Sequence, residues 1–236
     1  MKRSNGAVTL FLFIAVTGVF SGVASASGMV PETTVVLINV ADGEGTINVT
    51  NTDKSVALLY TSLENLPEDQ ESLLVVTPPV ARVEAGEKQL LRFIISSESP
   101  ITTQRLKRVN IEGIPEKNPE SASVIGMTVR QNLPVLITPG DLPLKADPWT
   151  LLKWSVNGQT LTVKNDSRYV VRLNQLINVL PAKISLQLPR TYILPGQTDS
   201  FKLPTDARLA PDSTVQIYPA TTYGYATKPF DAPLSQ

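Results

Sequence analysis

Short runs of Val, Ile, Leu and Thr, separated by turn residues, recur along most of this chain. Three examples are TTVVLINV at 33–40, VALLYTSLENL at 56–66 and RLKRVNIEGI at 105–114. Alternating apolar residues bounded by Gly, Pro, Asn or Asp are typical of β-strands, and helical periodicity is hard to find after residue 27. The sequence therefore predicts an all-β fold.

The spacing of these strands predicts two domains. About seven strands fall within roughly 110 residues, which is the number expected for an immunoglobulin-like β-sandwich. The proline-rich segment TPGDLPLKADP is typical of a short stiff linker, and a second set of strands follows it. We predict an N-terminal sandwich at 27–139, a linker at 140–148 and a C-terminal sandwich at 149–236.

Turn residues predict two hairpins within these domains. The sequence DGEG at 42–45 separates the strand at 33–40 from TINVTN at 46–51, so these two strands are expected to pair. Asn157-Gly158 lies at the centre of WSVNGQTLTV, and Asn-Gly is the strongest short-range signal for a hairpin. One hairpin is therefore expected near the start of each domain.

The first 26 residues have the organisation of a secretory signal peptide. Lys2 and Arg3 precede a long apolar run, and Ala24-Ser25-Ala26 supplies the small residues of a cleavage site. The alternative is a transmembrane anchor, but Thr and Gly residues interrupt the apolar run and small residues end it. We therefore expect cleavage after Ala26, export, and no membrane anchor in the mature form.

The composition excludes most kinds of catalytic and metal site. The chain contains neither Cys nor His, so a Ser-His-Asp triad, a Cys-His pair and a conventional zinc site are impossible. Its 21 acidic residues are scattered through turns, which is typical of solvated loops. Removing Lys2 and Arg3 reduces the 21 basic residues to 19, so the mature chain is slightly acidic and a nucleic-acid partner is not expected. We expect no enzyme activity, no cofactor and no metal.

One predicted strand, VIGMTVRQNLPVLITP, differs from the others. It places Ile125, Met127 and Val129 on one face at period two, yet it also contains Arg130 and Pro134. The residues alone allow two interpretations. The three apolar side chains could fill the core of this protein, as those of alternating strands usually do, or they could bind another protein.

Five motifs resemble those of PapD-like periplasmic pilus chaperones. In TPPVARVEAGEKQLLRF, the positions of Pro78, Pro79, Arg82 and Gly86 match the family's TPP motif and the turn that follows it. The segments NIEGIP, NDSRYVVRL, YILPG and TTYGYATKP resemble later motifs of the family and occur in the same order. Together they span essentially the whole mature chain.

The resemblance implies both an architecture and an activity. Members have two immunoglobulin-like β-sandwich domains in an L-shaped (boomerang) arrangement. They lend a strand to pilus or fimbrial subunits that lack one, a mode called donor-strand complementation, and they deliver the subunits to an outer-membrane usher. On this basis Ile125, Met127 and Val129 are expected to enter the groove of a subunit. The short loop at 115–123 resembles that of the members that serve rod-like pili.

The chain departs from the family at the two cations that bind the C-terminal carboxylate of a subunit. Thr34 stands where members have an arginine, and Pro134 stands where they have a lysine. Arg108 and Arg130 are the candidate replacements, with the Thr34 hydroxyl as a further donor, because arginine suits bidentate binding of a carboxylate. The alternative is that both arginines are ordinary solvated strand residues.

A second departure concerns the ion network that joins the two domains in the family. Arg82 is present, but Gln104 and Thr222 stand where the acidic members would be, so the angle between the domains is expected to be held differently. These departures indicate a divergent branch. The alternative function is that of a fimbrial structural subunit or an exported adhesive β-sandwich protein. A subunit, however, would be expected to carry a donor extension before a single incomplete domain.

Overall fold

The computed structural model of the chain describes residues 28–116 and 128–235. Its regular structure is almost entirely β, as the sequence predicts. The helices in the described part are two 3-10 turns, Val40–Asp42 and Pro148–Leu151. None of the helices in these residues is long and apolar enough to cross a membrane.

The first domain is a sandwich of two sheets. Its strands are β1 (Met29–Pro31), β2 (Val36–Asn39), β3 (Glu44–Asn51), β4 (Ala57–Glu64), β5 (Leu74–Thr77), β6 (Val80–Val83), β7 (Lys88–Ile95), β8 (Arg105–Pro115) and β9 (Arg130–Thr138). One sheet has the order β1-β3-β7-β5, and the other has the order β2-β9-β8-β4-β6. Side chains such as Ile47, Leu59, Phe93, Val109 and Val135 fill the space between them and are almost completely buried.

The second domain surrounds a separate core. Its strands are β10 (Lys153–Asn157), β11 (Thr160–Lys164), β12 (Val171–Arg172), β13 (Leu176–Leu180), β14 (Ile184–Gln187), β15 (Tyr192–Ile193), β16 (Thr198–Lys202), β17 (Thr214–Ile217) and β18 (Phe230–Ser235). Seven of them follow the order β14-β13-β17-β18-β10-β11-β16, and β12 pairs with β15. Trp154, Leu161, Ile177 and Val215 are buried between these layers. The chain is therefore two β-sandwiches, while the domain boundaries given above stay predictions.

The hairpin predicted at Asn157-Gly158 is confirmed, and the one predicted at 42–45 is wrong. Strands β10 and β11 pair directly, and Gly158 has the positive φ of +58° that its turn requires. In contrast, β2 and β3 belong to opposite sheets, because β2 pairs in parallel with β9. The chain crosses between the sheets at this point. A Cβ at Gly45 would lie only 2.7 Å from Cγ1 of Ile38, so the crossing requires glycine.

The TPP motif and the turn after it also move the chain between sheets. Pro78 and Pro79 separate β5, which pairs with β7, from β6, which pairs with β4. A proline pair suits this position because it has no N–H groups to leave unpaired and cannot continue a ladder. Gly86 has a φ of +78° in the next turn, and its N–H donates to the carbonyl of Asn51 at 2.8 Å.

Candidate functional site

Strand β9 has two different halves. From Val135 to Thr138 it lies between two neighbours, since β2 pairs with it on one side and β8 on the other. From Arg130 to Pro134 it pairs with β8 alone among the strands of the described ranges, so its other backbone edge carries no strand. A strand with an unpaired edge can accept another chain by main-chain hydrogen bonds.

The side chains on the core-facing parity of β9 are buried at one end of the strand and become exposed towards the other end. Leu133, Val135 and Ile137 alternate inward and are buried. Gln131 on the same parity is half-buried, and Val129 is 55% exposed. The predicted residues Ile125 and Met127 lie outside the described residues. Val129 therefore presents an apolar side chain that this domain does not cover.

A small apolar cluster lies where the two domains meet. Leu66, Leu106 and Leu136 of the first domain pack against Val170 of the second, and Tyr192 and Leu194 add to the same cluster. Leu106 and Leu136 are register partners on β8 and β9, so the cluster forms on the outer face of that sheet. This surface is the base of the cleft between the domains.

Arg108 borders the cleft. It lies two residues after Leu106 on β8, and its Cα partner is Pro134. Its guanidinium donates to the Asn132 carbonyl at 2.8 Å and also to the Asn132 side-chain oxygen. Burial lowers the pKa of Arg108, although the charges of Glu64 and Tyr192 act in the opposite direction. Arg108 is thus a partly desolvated cation beside the position of the missing lysine.

Arg130 lies farther from the cleft and has an internal partner. It pairs across the sheet with Glu112, and the two side chains form a 2.9 Å ion pair. Four residues separate it from Pro134, which corresponds to about 13 Å along a strand. The structure therefore brings Arg108, but not Arg130, to the cleft.

Thr34 lies at the cleft and already uses its hydrogen-bond donor. Its hydroxyl donates to the carbonyl of Tyr223 in the second domain at 3.1 Å. A hydroxyl has only one proton to donate, so Thr34 would have to release Tyr223 before it could donate to a carboxylate. In the described structure this side chain connects the two domains.

A third arginine, Arg172, also faces the cleft, and it is not among the residues predicted from the sequence. Arg172 lies on β12, two residues after Val170, and the side chains of Val171 and Leu173 between and beyond them enter the core of the second domain, whereas Val170 packs in the cluster between the domains. Its Nη1 is buried and has no hydrogen-bond partner. Burial lowers the pKa of Arg172, and the positive charge of Arg108 lowers it further.

The NDSRYVVRL motif explains how Arg172 is positioned. Asn165 is completely buried, and its side-chain amide donates to the carbonyls of Tyr169 at 2.8 Å and Ile193 at 3.1 Å. Its side-chain oxygen accepts from the N–H of Ser167 at 3.1 Å. These bonds fix the start of the segment and orient the strand after it. In the sequence, the alternation within VVRL could have indicated that Arg172 points away from the core.

The angle between the domains is held by polar contacts other than the family's ion network. Arg82 is exposed and pairs with Glu84 at 3.1 Å. Gln104 instead bridges the domains, since its side-chain oxygen accepts from Val170 N at 2.9 Å and its amide donates to Thr138 at 3.1 Å. The substitution of glutamine for an acid thus keeps a domain contact but removes its charge.

Two further contacts connect the domains on either side of Gln104. Arg168 donates to the Thr102 carbonyl at 2.7 Å and binds Asp141 of the linker through both carboxylate oxygens. Glu68 of the first domain pairs with Arg190 and accepts a 3.0 Å hydrogen bond from the Tyr192 hydroxyl. Most polar side chains along the cleft therefore have a partner within the chain, and Arg172 is an exception.

No cluster of three or more potential metal ligands occurs within residues 28–116 and 128–235. The cleft instead offers cations, hydrogen-bond donors and an apolar base. Chemically, this arrangement suits the binding of a peptide chain with a negatively charged end rather than a reaction.

Family models match both halves of the chain. Residues 28–143 match the pili and flagellar-assembly chaperone family, PapD N-terminal domain. Residues 147–230 match the C-terminal domain of the pili assembly chaperone PapD.

Curated relatives and solved structures agree with these matches. The fimbrial chaperone YhcA of Escherichia coli K12 is 42% identical over 201 residues, which is 85% of this chain and 88% of the relative. The chaperone caf1M of Yersinia pestis is 26% identical over 67% of each chain. The E. coli chaperone DraB has the same fold, with a TM-score of 0.69 and 22% identity over 88% of this chain and 99% of its own. The SafB chaperone of Salmonella enterica, solved with the SafA pilin, gives a TM-score of 0.69 at 20% identity, covering 89% of this chain and 98% of its own.

Proposed function

The chain belongs to the PapD family of pili assembly chaperones, and on that basis we propose that it caps fimbrial subunits by donor-strand complementation. Chaperones of this family work in the periplasm. We further propose that the signal peptide is cleaved after Ala26 and that the chaperone delivers its subunits to an outer-membrane usher.

The observation that carries the donor-strand proposal is the exposed end of β9. Val129, directly before β9, continues the core-facing parity of that strand but is 55% exposed, and the first half of β9 beside it has a backbone edge without a strand among the described residues. A subunit that lacks one strand has an apolar groove and open sheet edges. Main-chain hydrogen bonds along β9 would satisfy those edges, and alternate side chains would fill the groove.

Val129 supplies the described part of the donor set, and Ile125 and Met127 extend it by their sequence spacing. Fully burying one Val, Ile or Met side chain stabilises a complex by about 1.5–3 kcal/mol. Three such side chains give a substantial gross term, from which the cost of ordering the strand must be subtracted. Met127 is unbranched and adaptable, which suits a chaperone that serves several subunits.

We propose that the C-terminal carboxylate of the subunit binds at the base of the cleft, where Arg108 lies. Arg108 borders Pro134, the position at which the family has its lysine, and it faces the second domain. Arg130 is a weaker candidate because Glu112 already neutralises it. Thr34 would contribute its hydroxyl only after losing the bond to Tyr223.

The proposal is tested by co-purification of fimbrial subunits with the full chain from the periplasm. We expect Val129→Asp to weaken recovery of subunits by at least about tenfold, because a carboxylate would replace a buried apolar side chain in the groove. Val75→Asp is the matched control, since Val75 is also an exposed valine, at 53%, but lies on β5 in the other sheet.

The two variants can be compared directly because both place the same charge at an exposed valine of the first domain. Loss of subunits with Val129→Asp but not with Val75→Asp supports strand donation. Equal recovery with both variants, at wild-type levels, would show that β9 does not enter the subunit. Equal loss with both would point to a general effect of surface charge and would also contradict the proposal.

A further inference from the structure

We propose that Arg172, in the C-terminal domain, provides the main cation for the subunit carboxylate and replaces the pair lost at Thr34 and Pro134. The anion site would then be shared between the domains, with Arg172 on one side and Arg108 on the other. This inference rests on the proposed chaperone function and adds a binding residue to it.

Arg172 has no internal partner in the part of the chain that the structure describes. Each of Arg105, Arg130 and Arg190 forms an ion pair with a carboxylate of this chain. Across the described residues no ion pair or hydrogen bond involves the Arg172 side chain, and its Nη1 is buried. A buried charge without a partner is costly, so it is expected to persist where it binds something outside the chain.

Arg172 and Arg108 extend from the same apolar cluster. Arg108 follows Leu106 by two residues on β8, and Arg172, on β12, comes two residues after Val170. Leu106 and Val170 pack together in the apolar cluster at the base of the cleft. Both arginines therefore extend from that cluster on cleft-facing parities. The charge of Arg108 reaches Arg172 strongly enough to lower its pKa.

Arg172 also lies close to Thr34, which stands where the family has its first-strand arginine. A Cβ built on Gly224 would lie 3.5 Å from Oγ1 of Thr34 and 3.6 Å from Nη2 of Arg172. The guanidinium and the Thr34 hydroxyl therefore lie on either side of the same small space. An arginine from the second domain thus reaches the place where the family's first-strand arginine would be.

The chemistry of the site favours a carboxylate at a chain end. Two guanidinium groups that face one cleft repel each other, and an anion between them removes that repulsion. A guanidinium binds both oxygens of a carboxylate through parallel N–H donors. Arg172 also lines a cavity of about 440 Å³ between the domains, together with Leu136, Val170 and Tyr223, so its side of the cleft has open space.

The test uses the full chaperone and a peptide with two kinds of end. The probe is the C-terminal strand of the subunit that co-purifies with wild type, synthesised as the free acid and as the C-terminal amide. We expect wild type to bind the acid about 10–100-fold more tightly than the amide, as expected for a charge-assisted bond.

Arg172→Gln should lose most of this preference for the acid. Arg172→Lys should keep part of it, because lysine retains the positive charge but cannot donate two parallel hydrogen bonds to a carboxylate.

Arg208→Gln is the control, since Arg208 is an exposed arginine of the same domain. It should keep the full preference for the acid. An Arg172→Gln variant that keeps the wild-type preference would overturn the inference, as would a wild type that binds both peptides equally. A fall in the melting temperature of free Arg172→Gln would also count against it, because it would indicate a structural role.

Co-purification of whole subunits separates this inference from the proposed function. A single-strand peptide has no groove for Val129 to fill, so Val129→Asp should reduce recovery of whole subunits and leave the ratio between acid and amide peptide unchanged. If Val129→Asp has no effect on subunit recovery, strand donation fails whatever Arg172 does. If Val129→Asp reduces subunit recovery and Arg172→Gln keeps the wild-type ratio between acid and amide, strand donation stands and only the role of Arg172 fails.

Discussion

Two groups of fully or partly buried cations in this chaperone differ in whether the chain itself provides their hydrogen-bond acceptors. Lys107 on β8 is almost completely buried, yet its three N–H donors meet three oxygens: the carbonyls of Asp69 and Glu71, each at 2.7 Å, and the Asp69 carboxylate at 2.9 Å. Arg105 beside it binds the same carboxylate. Arg172 also lies partly buried, but its Nη1 has no acceptor and its charged neighbour is Arg108.

The difference distinguishes a structural site from a binding site. The Asp69 cluster is complete, because every donor of Lys107 is used inside the chain. The cleft around Arg172 is incomplete, and an added anion would complete it. Removing a charge should therefore have opposite effects on the free energy of unfolding at the two places.

The largest expected effect comes from breaking the complete cluster. Asp69→Asn leaves Lys107 and Arg105 without their shared carboxylate, and loss of one partner of a buried pair costs about 3–5 kcal/mol. The side chains of Asp69 and Lys107 are only 9% and 3% exposed, so water cannot replace the lost contact. Urea unfolding of the free chaperone measures the change. Asp206→Asn, at an exposed position in the second domain, is the control and should change little.

The pH dependence sharpens this prediction. Burial acts to raise the pKa of Asp69, but hydrogen bonds from Arg105 and Lys107 and their charges outweigh it and hold the pKa below its ordinary value of 3.8. A lowered pKa in the folded state gives stability that is present above the unfolded pKa and is lost as the pH falls through the folded pKa. The gap between wild type and Asp69→Asn should therefore narrow below about pH 4. A gap that stays constant to low pH would contradict the electrostatic explanation.

A smaller effect of opposite sign is expected at the incomplete site. Arg172→Gln removes a partly buried charge that has no internal partner, so the free chaperone should lose no stability and gain up to about 1 kcal/mol. The same variant is expected to bind subunit carboxylates less tightly. Thermal unfolding in the absence of peptide measures the first change. If Arg172→Gln destabilised the protein as strongly as Asp69→Asn, the two sites would not differ in kind.

Most strands could be predicted from the sequence, because apolar alternation and turn residues are local signals. The pairing of β2 could not, since its partner β9 lies about a hundred residues away and no local pattern records it. Strand β18 was also missed. Its alternating Phe230, Ala232 and Leu234 carry the signal, but Pro233 lies among them, and proline within a run argues against a strand.

The candidate site was predicted only in part, for a related reason. The parity of Arg108 on β8 could be read locally, and the structure places it at the cleft. What lies across the cleft could not be read, because Arg172 and Arg108 meet only when the two domains fold against each other. Likewise, the sequence indicates that Gln104 cannot carry a charge, but not that its amide group bonds to Val170 and Thr138.

The smallest expected effect tests a complete contact beside Arg172. Tyr192, the register partner of Arg172, donates to Glu68 of the first domain at 3.0 Å. Burial, and then the hydrogen bond to Glu68, raise the pKa of Tyr192 from 10.0 to about 12. Because the folded state favours the neutral hydroxyl, this stability is present below pH 10 and is lost as the pH rises through about 12.

Tyr192→Phe should therefore cost only about 0.5–1.5 kcal/mol at neutral pH, the usual net worth of one hydrogen bond. Arg190 still pairs with Glu68, so the variant leaves no unpaired carboxylate. Phenolate absorbance of wild type minus that of Tyr192→Phe should rise with a midpoint near pH 12 while the protein stays folded. A midpoint near 10 would mean that Tyr192 is open to water, and the contact would then resemble the incomplete site rather than the complete one.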